Sequence, residues 1–163
     1  MNFLKAFFFG LVLFGCVTPS NDLEVFDFQE VEKFLKPNNN KTKIINFWAT
    51  WCAPCVKELP YFEAIRTQYP DDVEVILISL DFPNQIETKL KPFLKQKQLK
   101  SKVIVLDDVD MNSWIPAIDP NWDGAIPVTL IVNKNKRQFY PQSFTYDQLA
   151  SEVEKFINYT FIL

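Results

Sequence analysis

Two cysteines separated by two residues, Cys52 and Cys55, have the type and spacing for thiol–disulfide chemistry in this 163-residue chain. An apolar segment precedes them and helical spacing of apolar residues follows, so they should occupy the first turn of a helix. Residues i and i+3 of a helix face the same side, so the two sulfur atoms could close a small disulfide ring with little backbone movement. Free N–H groups and the positive end of the helix dipole favour a thiolate, the nucleophile of disulfide exchange. We therefore expect Cys52 to be the exposed attacking thiol and the more buried Cys55 to resolve the mixed disulfide.

The cysteine pair has two alternative roles. It could be half of a zinc site, although zinc needs four ligands and the sequence has no second cysteine pair and no histidine. It could be a purely structural disulfide, although so small a ring adds little stability because loop entropy grows with loop length. The absence of histidine also excludes Ser-His-Asp and Cys-His catalysis, so we expect sulfur or carboxylate chemistry and no metal site.

The composition is that of one globular domain without a nucleic-acid partner. Hydrophobic residues make up 48% of the chain, which is enough for a core, and the net charge of -3 gives no general basic face. A lysine-rich stretch at residues 89–102 is the exception. We interpret it as the solvated side of a helix.

The N-terminal residues predict export. Residues 1–16 have the layout of a secretory signal: one lysine, then an apolar run too short to span a membrane, then a small residue. The end of this run, Leu-Phe-Gly before Cys16, resembles the lipobox of bacterial lipoproteins, in which the cysteine is lipidated. The alternative is an ordinary signal peptide with an incidental cysteine. We expect residues 17–23 to be a tether and 24–163 one domain, on the periplasmic side of the cell envelope and anchored to a membrane by lipid on Cys16.

Apolar spacing along the rest of the chain predicts helices and strands in the order α, β, α, β, α, β, β, β, α. This alternation indicates an α/β fold whose sheet is at least partly parallel. Capping-box patterns, Asp27 with Glu30 and Thr145 with Gln148, predict the starts of the first and last helices. The other helices are predicted at residues 52–69 and 86–99, and residues 107–126 as a long loop. The strands are predicted at residues 43–49, 73–80, 103–106, 128–132 and 138–140.

The cysteine motif and its flanks resemble a known family. The run from Asn46 to Pro60, Asn-Phe-Trp-Ala-Thr-Trp-Cys-Ala-Pro-Cys-Val-Lys-Glu-Leu-Pro, is similar to the active-site segment of TlpA/ResA-like thiol–disulfide oxidoreductases, exported members of the thioredoxin superfamily. The resemblance includes the run Trp-Asp-Gly-Ala-Ile-Pro that ends at Pro127. It implies a thioredoxin fold, with a central mixed β-sheet flanked by helices, and no cofactor beyond a redox-active disulfide between Cys52 and Cys55.

The family also implies how substrates would bind. A proline before its fourth strand has a cis peptide bond and lies against the cysteine pair, and Pro127 matches that position. The preceding backbone, at Ile126, would then pair with an extended substrate segment. Trp51 is expected to be exposed surface that substrates touch. Of the other tryptophans, Trp48 is expected in the core, and those at positions 114 and 122 either pack or cover the site.

The sequence departs from thioredoxins themselves at two places. Asn46 replaces their buried aspartate, which leaves the proton acceptor unassigned; Asp81 is a candidate, with a turn residue at a strand end as the alternative. Lys57 and Glu58 are expected to be surface groups. The residues between the cysteines, Ala-Pro, include no histidine, which in strong oxidants stabilises the reduced form. We therefore expect a reductant.

Three functions follow from these patterns. The leading one is reduction of disulfides in oxidised client proteins outside the cytoplasm, with electrons from a membrane thiol donor. The second is a peroxiredoxin-like thiol peroxidase, which normally needs a threonine before the cysteine and a nearby arginine. Thr50 precedes Cys52 by two residues rather than three, and Arg66 is the nearest arginine in sequence. The third is a redox-inactive binding module.

Overall fold

The computed structural model describes residues 23–157. The predicted signal peptide, the predicted lipidation of Cys16 and all of the predicted tether except Leu23 lie outside these residues. Within the described part of the chain, no helix combines the length and the apolar character needed to cross a bilayer.

A six-stranded mixed sheet forms the centre of the domain, in the spatial order β1-β4-β3-β2-β5-β6. The first four strands in the chain run parallel to one another, and the last two are antiparallel to their neighbours. All seven residues of the central strand β2 are buried, including the polar residues Thr42, Lys43 and Asn46, as expected for a strand covered on both faces. The strands are β1 (Glu24–Phe26), β2 (Thr42–Trp48), β3 (Val73–Ser79), β4 (Lys102–Leu106), β5 (Val128–Val132) and β6 (Arg137–Tyr140).

Helices cover both faces of the sheet. Helices α2, α3 and α5 pack on one face, and α1 and α4 pack on the other. A 3₁₀ turn (Pro83–Gln85) and a π-helical turn (Ile86–Leu90) precede α3. The helices are α1 (Phe28–Phe34), α2 (Ala53–Gln68), α3 (Lys91–Lys97), α4 (Met111–Ile118) and α5 (Tyr146–Ile157).

Both predicted N-caps are present, but only the second, at Thr145, forms a complete capping box, because the Glu30 side chain pairs with Lys33 instead. The Asp27 carboxylate accepts a hydrogen bond from the Glu30 N–H at 3.0 Å. The Thr145 N–H donates to the Gln148 side chain at 2.9 Å, and the Gln148 N–H donates to the Thr145 hydroxyl. Each N-cap provides a partner for an N–H group that the first helical turn leaves unpaired, which explains why α1 and α5 begin where they do.

Three predictions about the elements are wrong. The predicted loop at 107–126 contains α4, which forms because Trp114 and Ile118, four residues apart, are both buried against the sheet. The predicted helix at 86–99 is divided, and regular α-helix begins only at Lys91, where Pro92 occupies the first turn and needs no N–H partner. The edge strand β1 was not predicted, because three residues give too short a pattern to detect.

The buried tryptophans serve packing. Trp48 lies in the core as predicted, with its ring 5.5 Å from that of Phe93. Trp122 packs against three aromatic rings with centroids within 6 Å, those of Phe47, Trp114 and Phe139. These contacts fix the segment between α4 and β5, which ends at the predicted proline site.

Candidate active site

A disulfide joins Cys52 and Cys55 where β2 gives way to α2. Their Cα atoms are 5.3 Å apart, as the i, i+3 spacing predicts. Cys52 is the N-cap of α2, and its sulfur accepts a hydrogen bond from the Cys55 N–H at 3.3 Å. After reduction the same N–H and the positive end of the helix would stabilise negative charge on that sulfur. The geometry therefore suits reversible closure and opening of the ring.

The exposure of the two cysteines differs from the prediction. Cys52 is only 6% exposed and Cys55 is fully buried, so the expectation of an exposed Cys52 is wrong for this oxidised form, although the order of the two is as expected. The sulfur of Cys52 is bonded to that of Cys55, and the Ile126 carbonyl oxygen lies 3.8 Å from it. Trp51, by contrast, is 56% exposed, as predicted, and lies beside the disulfide in the chain.

The Ile126–Pro127 peptide bond is cis, as predicted. Pro127 immediately precedes β5, which pairs with β2 so that Val128 lies opposite Phe47. This pairing brings the start of β5 to the carboxyl end of β2, where the cysteine motif begins. The oxidised sulfur of Cys52 has no proton to donate, so it contacts the Ile126 carbonyl oxygen without forming a hydrogen bond. Ile126 itself is partly exposed, so its backbone borders the surface that contains the disulfide.

Asp81 organises the turn before the cysteines. Its carboxylate is 1% exposed and accepts hydrogen bonds from the Thr50 N–H at 3.0 Å, from the Thr50 hydroxyl, and from the Ser79 hydroxyl at 2.8 Å. The Leu80 N–H donates to the Trp48 carbonyl at 2.8 Å beside these contacts. This arrangement favours the turn-residue interpretation of Asp81 over the role of proton acceptor.

Glu58 is buried, so its predicted place on the surface is wrong. Only 1% of it is exposed, and its carboxylate accepts hydrogen bonds from the Phe144 N–H at 2.7 Å, the Ser143 hydroxyl at 2.9 Å and the Asn46 side-chain amide at 3.0 Å. Burial raises the pKa of Glu58 above its ordinary value of 4.5, against the opposing effect of these three donors. Asn46, which stands where thioredoxins have a buried aspartate, cannot titrate. Its side-chain amide instead donates a hydrogen bond to Glu58, which can titrate.

Helical spacing is the signal that could have located Glu58. Cys55, Leu59 and Phe62 are buried on one side of α2, and Glu58 follows Cys55 by three residues on that side. The usual preference of glutamate for the surface hid this pattern.

The groups that a peroxidase would use are engaged elsewhere. The Thr50 hydroxyl donates to Asp81. The Arg66 guanidinium lies 3.3 Å from the Glu63 carboxylate. Arg66 is eleven positions after Cys55 in α2, about 16 Å along the helix axis. The Arg137 guanidinium donates to the Ile118 carbonyl.

Solved structures show that the fold is that of thioredoxin. A secreted thiol-disulfide isomerase from Corynebacterium glutamicum superposes with a TM-score of 0.62 at 20% identity, covering 78% of this chain and 75% of that one. The thioredoxin domain of a thiol-disulfide oxidoreductase from Bacteroides vulgatus gives a TM-score of 0.60 at 20% identity, with coverage of 78% and 84%. The predicted thioredoxin fold, with its central mixed sheet and flanking helices, is confirmed.

Curated relatives share a shorter segment. Thiol-disulfide oxidoreductase ResA of Bacillus cereus is 39% identical over 72 residues, which are 44% of this chain and 40% of the relative. Sporulation thiol-disulfide oxidoreductase A of Bacillus subtilis is 31% identical over 77 residues, 47% of each chain. The alignments thus cover less than half of the length of these curated relatives.

A family model covers more of the chain than these alignments do. It matches residues 15–137, about three quarters of the sequence, and includes the cysteine motif and the cis proline. The chain belongs to the AhpC/TSA family.

Proposed function

We propose that this protein is a thiol–disulfide oxidoreductase whose redox centre is the Cys52–Cys55 pair. The observation that carries the proposal is the disulfide closed at the N-terminus of α2 and bordered by the backbone of Ile126. The proposal is supported by the relatives in Bacillus cereus and Bacillus subtilis, which are named as thiol-disulfide oxidoreductases. No other pair of groups described in residues 23–157 has comparable chemistry.

The exchange proceeds in two steps. In the reduced protein the Cys52 thiolate attacks one sulfur of a client disulfide, forms a mixed disulfide and releases the other client sulfur as a thiolate. The Cys55 thiolate then attacks the Cys52 sulfur, which restores the Cys52–Cys55 disulfide and releases the second client sulfur. Two electrons pass from the protein dithiol to the client, and the client thiolates take up the protons lost by the two cysteines.

Glu58 is the proton acceptor for Cys55 in this proposal, in preference to Asp81. The two residues are three apart on α2, which places their Cβ atoms about 5–6 Å apart. Burial raises the pKa of Glu58, so its carboxylate is more basic than an ordinary glutamate. The oxygens of Asp81 instead accept hydrogen bonds from Thr50, in the turn before the cysteines, and from Ser79, at the end of β3.

Oxidised client proteins are the proposed substrates. They would bind across exposed Trp51 and the backbone at Ile126, with Pro127 fixing that backbone beside the disulfide. The protein would act as a reductant, because Ala53 and Pro54 provide no charged group that would favour the reduced form. It would be exported, anchored by lipid on Cys16 at the periplasmic side of the envelope, and supplied with electrons by a membrane thiol donor.

The test is the equilibrium redox potential of the pair in thiol buffers, measured on protein carrying Cys16→Ser so that two thiols remain. A value near that of thioredoxin, about -270 mV, is expected, and one near that of DsbA, about -120 mV, would contradict the reductase direction. Absence of a reversible two-electron couple would refute the oxidoreductase itself. The matched variant Cys55→Ser should accumulate the mixed disulfide with a client, whereas Cys52→Ser should not.

Peroxidase activity is the competing outcome. Because Thr50 and both arginines are engaged elsewhere, the reduced protein should consume hydrogen peroxide slowly, at the rate of an ordinary thiolate. Rapid consumption that depends on Cys52 would favour the peroxidase instead.

A further inference from the structure

The lysine-rich stretch noted in the sequence gives the domain a strong charge asymmetry. Residues 86–102 contain six lysines and one glutamate, a net charge of +5 in a chain whose net charge is -3, so the other residues together carry -8. These lysines are exposed except for the partly buried Lys91, as predicted. The prediction that they lie on one helix is wrong for the last two, because Lys100 follows α3 and Lys102 is in β4. We call this set the basic face; its lysines are Lys89, Lys91, Lys95, Lys97, Lys100 and Lys102.

Carboxylates neutralise only part of the basic face. Glu87 pairs with Lys91, and Glu24 pairs with Lys102 at 2.6 Å. Glu63 approaches the same region, but it accepts the backbone N–H groups of residues 100 and 101 and also faces Arg66. Within the described residues, the side chains of Lys95, Lys97 and Lys100 form no ion pair with a carboxylate. Their charge is therefore available to an external anion.

The described chain enters the domain at the basic face. Leu23 and Glu24 border a surface hollow of about 780 Å³ whose rim includes Lys95 and Lys100. Leu94 and Leu99 contribute an apolar lining to the same hollow. A hollow that combines lysine ammonium groups with leucine side chains suits a phospholipid surface, where phosphate groups lie above acyl chains.

The length of the N-terminal segment limits which face can approach a membrane. Leu23 is seven positions after Cys16, and even a fully extended chain of seven steps spans at most about 25 Å. If Cys16 carries lipid, the surface around Leu23 must stay near the bilayer. That surface is the basic face.

The sheet topology places the redox centre away from this face. The basic face includes the end of α3 and the amino end of β4, whereas the cysteine pair follows the carboxyl end of β2. Strands β2 and β4 run in the same direction, since both are parallel to β3. A bilayer in contact with the amino end of β4 would therefore leave the disulfide directed away from the lipid, toward proteins in the surrounding space.

We propose that the basic face binds the surface of a bilayer containing anionic phospholipids and so orients the redox centre away from the membrane. The inference rests on the proposed lipid anchor for its setting, but not on the redox chemistry. A lipid chain alone would hold the domain near the membrane without fixing its rotation, and the lysines supply that second contact.

The test measures partitioning of the full chain onto vesicles of phosphatidylcholine, with and without phosphatidylglycerol as a minor component. The variant Lys95→Gln/Lys97→Gln/Lys100→Gln removes three charges from the basic face and no ion pair with a carboxylate. The increase in binding caused by phosphatidylglycerol should fall by on the order of 100-fold in this variant at low salt. Salt near 1 M should abolish that increase in the unaltered protein.

A control removes three exposed lysines elsewhere, in Lys33→Gln/Lys36→Gln/Lys134→Gln; of these, Lys33 and Lys36 pair with Glu30 and Glu32. It changes the net charge equally and should retain the effect of phosphatidylglycerol. Equal losses in the two triple variants would overturn the proposal, because net charge alone would then explain binding. Displacement by single-stranded DNA at the same phosphate concentration would also overturn it in favour of a general polyanion site.

The outcomes separate this proposal from the others. Binding to vesicles of phosphatidylcholine alone measures the contribution of the lipid anchor. Cys16→Ser should abolish this binding and leave unchanged the increase caused by phosphatidylglycerol. Reduction of a soluble disulfide substrate should be unchanged in the lysine variant, and an unchanged circular dichroism melt would confirm that it is folded. If the lysine variant loses activity on that soluble substrate, the basic face belongs to the redox function and the membrane proposal is wrong.

Discussion

Two buried carboxylates flank the cysteine pair, and they are used differently. Asp81 follows β3, and its partners are Thr50, in the turn between β2 and α2, and Ser79, the last residue of β3. Glu58 lies in α2, and its donors come from β2 and from the segment between β6 and α5. Asp81 thus joins the carboxyl ends of two neighbouring strands, whereas Glu58 connects a helix to two other parts of the fold.

The difference shows that equal burial does not imply an equal role. Burial raises the pKa of Glu58 even though three groups donate to it, so this carboxylate is poised to take up a proton. It also lies one helical turn from Cys55. Of the two acids, the one expected to lie at the surface is therefore the one whose pKa is raised and which shares a helix with Cys55.

Removal of the Glu58 carboxylate should have the largest effect on stability. Glu58→Ala removes the acceptor of the buried Phe144 N–H and one acceptor each of the Asn46 amide and the Ser143 hydroxyl, and it leaves a cavity inside the fold. We therefore expect a loss of about 4 kcal/mol in the free energy of unfolding. Urea denaturation of the oxidised protein measures it. Glu58→Gln retains an acceptor oxygen and should lose only about 2 kcal/mol. A loss below about 1 kcal/mol in the alanine variant would show that Glu58 does not connect the three segments.

Removal of the Asp81 carboxylate should cost somewhat less and act locally. Asp81→Ala frees the N–H and hydroxyl of Thr50 and the hydroxyl of Ser79, and the turn can partly expose these groups to water, so we expect a loss of about 3 kcal/mol. Amide hydrogen exchange at Thr50 should accelerate, while exchange at Phe144 should follow global unfolding only. If the two amides respond alike, Asp81 is not a local turn residue and the contrast with Glu58 fails.

The pH dependence of stability should show whether Glu58 titrates within the fold or acts only as an uncharged hydrogen-bond acceptor. Because the folded state raises the pKa of Glu58, it binds a proton more readily than the unfolded state does. The contribution of this group is therefore fully present below the ordinary value of 4.5 and is lost as the pH rises through the folded pKa. One proton gives a slope of at most about 1.4 kcal/mol per pH unit in that window. The slope should disappear in Glu58→Gln. Urea unfolding midpoints measured from pH 4 to pH 8 would show this. If the slope persists in that variant, another group causes it.

The parts of this site that depend on residues close together in the sequence could be predicted. The cysteine spacing predicts the ring, the run before it predicts β2, and the resemblance around Pro127 predicts the cis bond. The alternating elements predict a mixed sheet flanked by helices, which the structure and its neighbours confirm.

The missed features depend on contacts between distant parts of the chain. Helix α4 contains Pro116, a residue that argues against a helix interior, and it forms because Trp114 reaches the aromatic cluster around Trp122. The burial of Glu58 requires the backbone at Phe144, 86 positions away, to donate to it. Helical spacing after Cys55 indicates the buried side of α2 for Glu58, but the distant partners of Glu58 and of Trp114 cannot be identified from one sequence.

The smallest effect expected in this comparison concerns the Ser143 hydroxyl. Ser143→Ala removes one of three donors to Glu58 and leaves the Phe144 N–H and the Asn46 amide in place, so the loss should be about 1 kcal/mol at neutral pH. Since this donor stabilises the charged carboxylate, its removal should raise the pKa of Glu58 further and shift the pH window of the preceding prediction upward. A double-mutant cycle with Glu58→Gln, monitored by urea denaturation, isolates the contact. Ser151→Ala, on α5 and outside the Glu58 contacts, is the matched control and should leave the window unchanged. If Ser143 and Glu58 prove additive, the carboxylate is held by its other two donors alone, and the link to the β6–α5 segment depends on the backbone of Phe144.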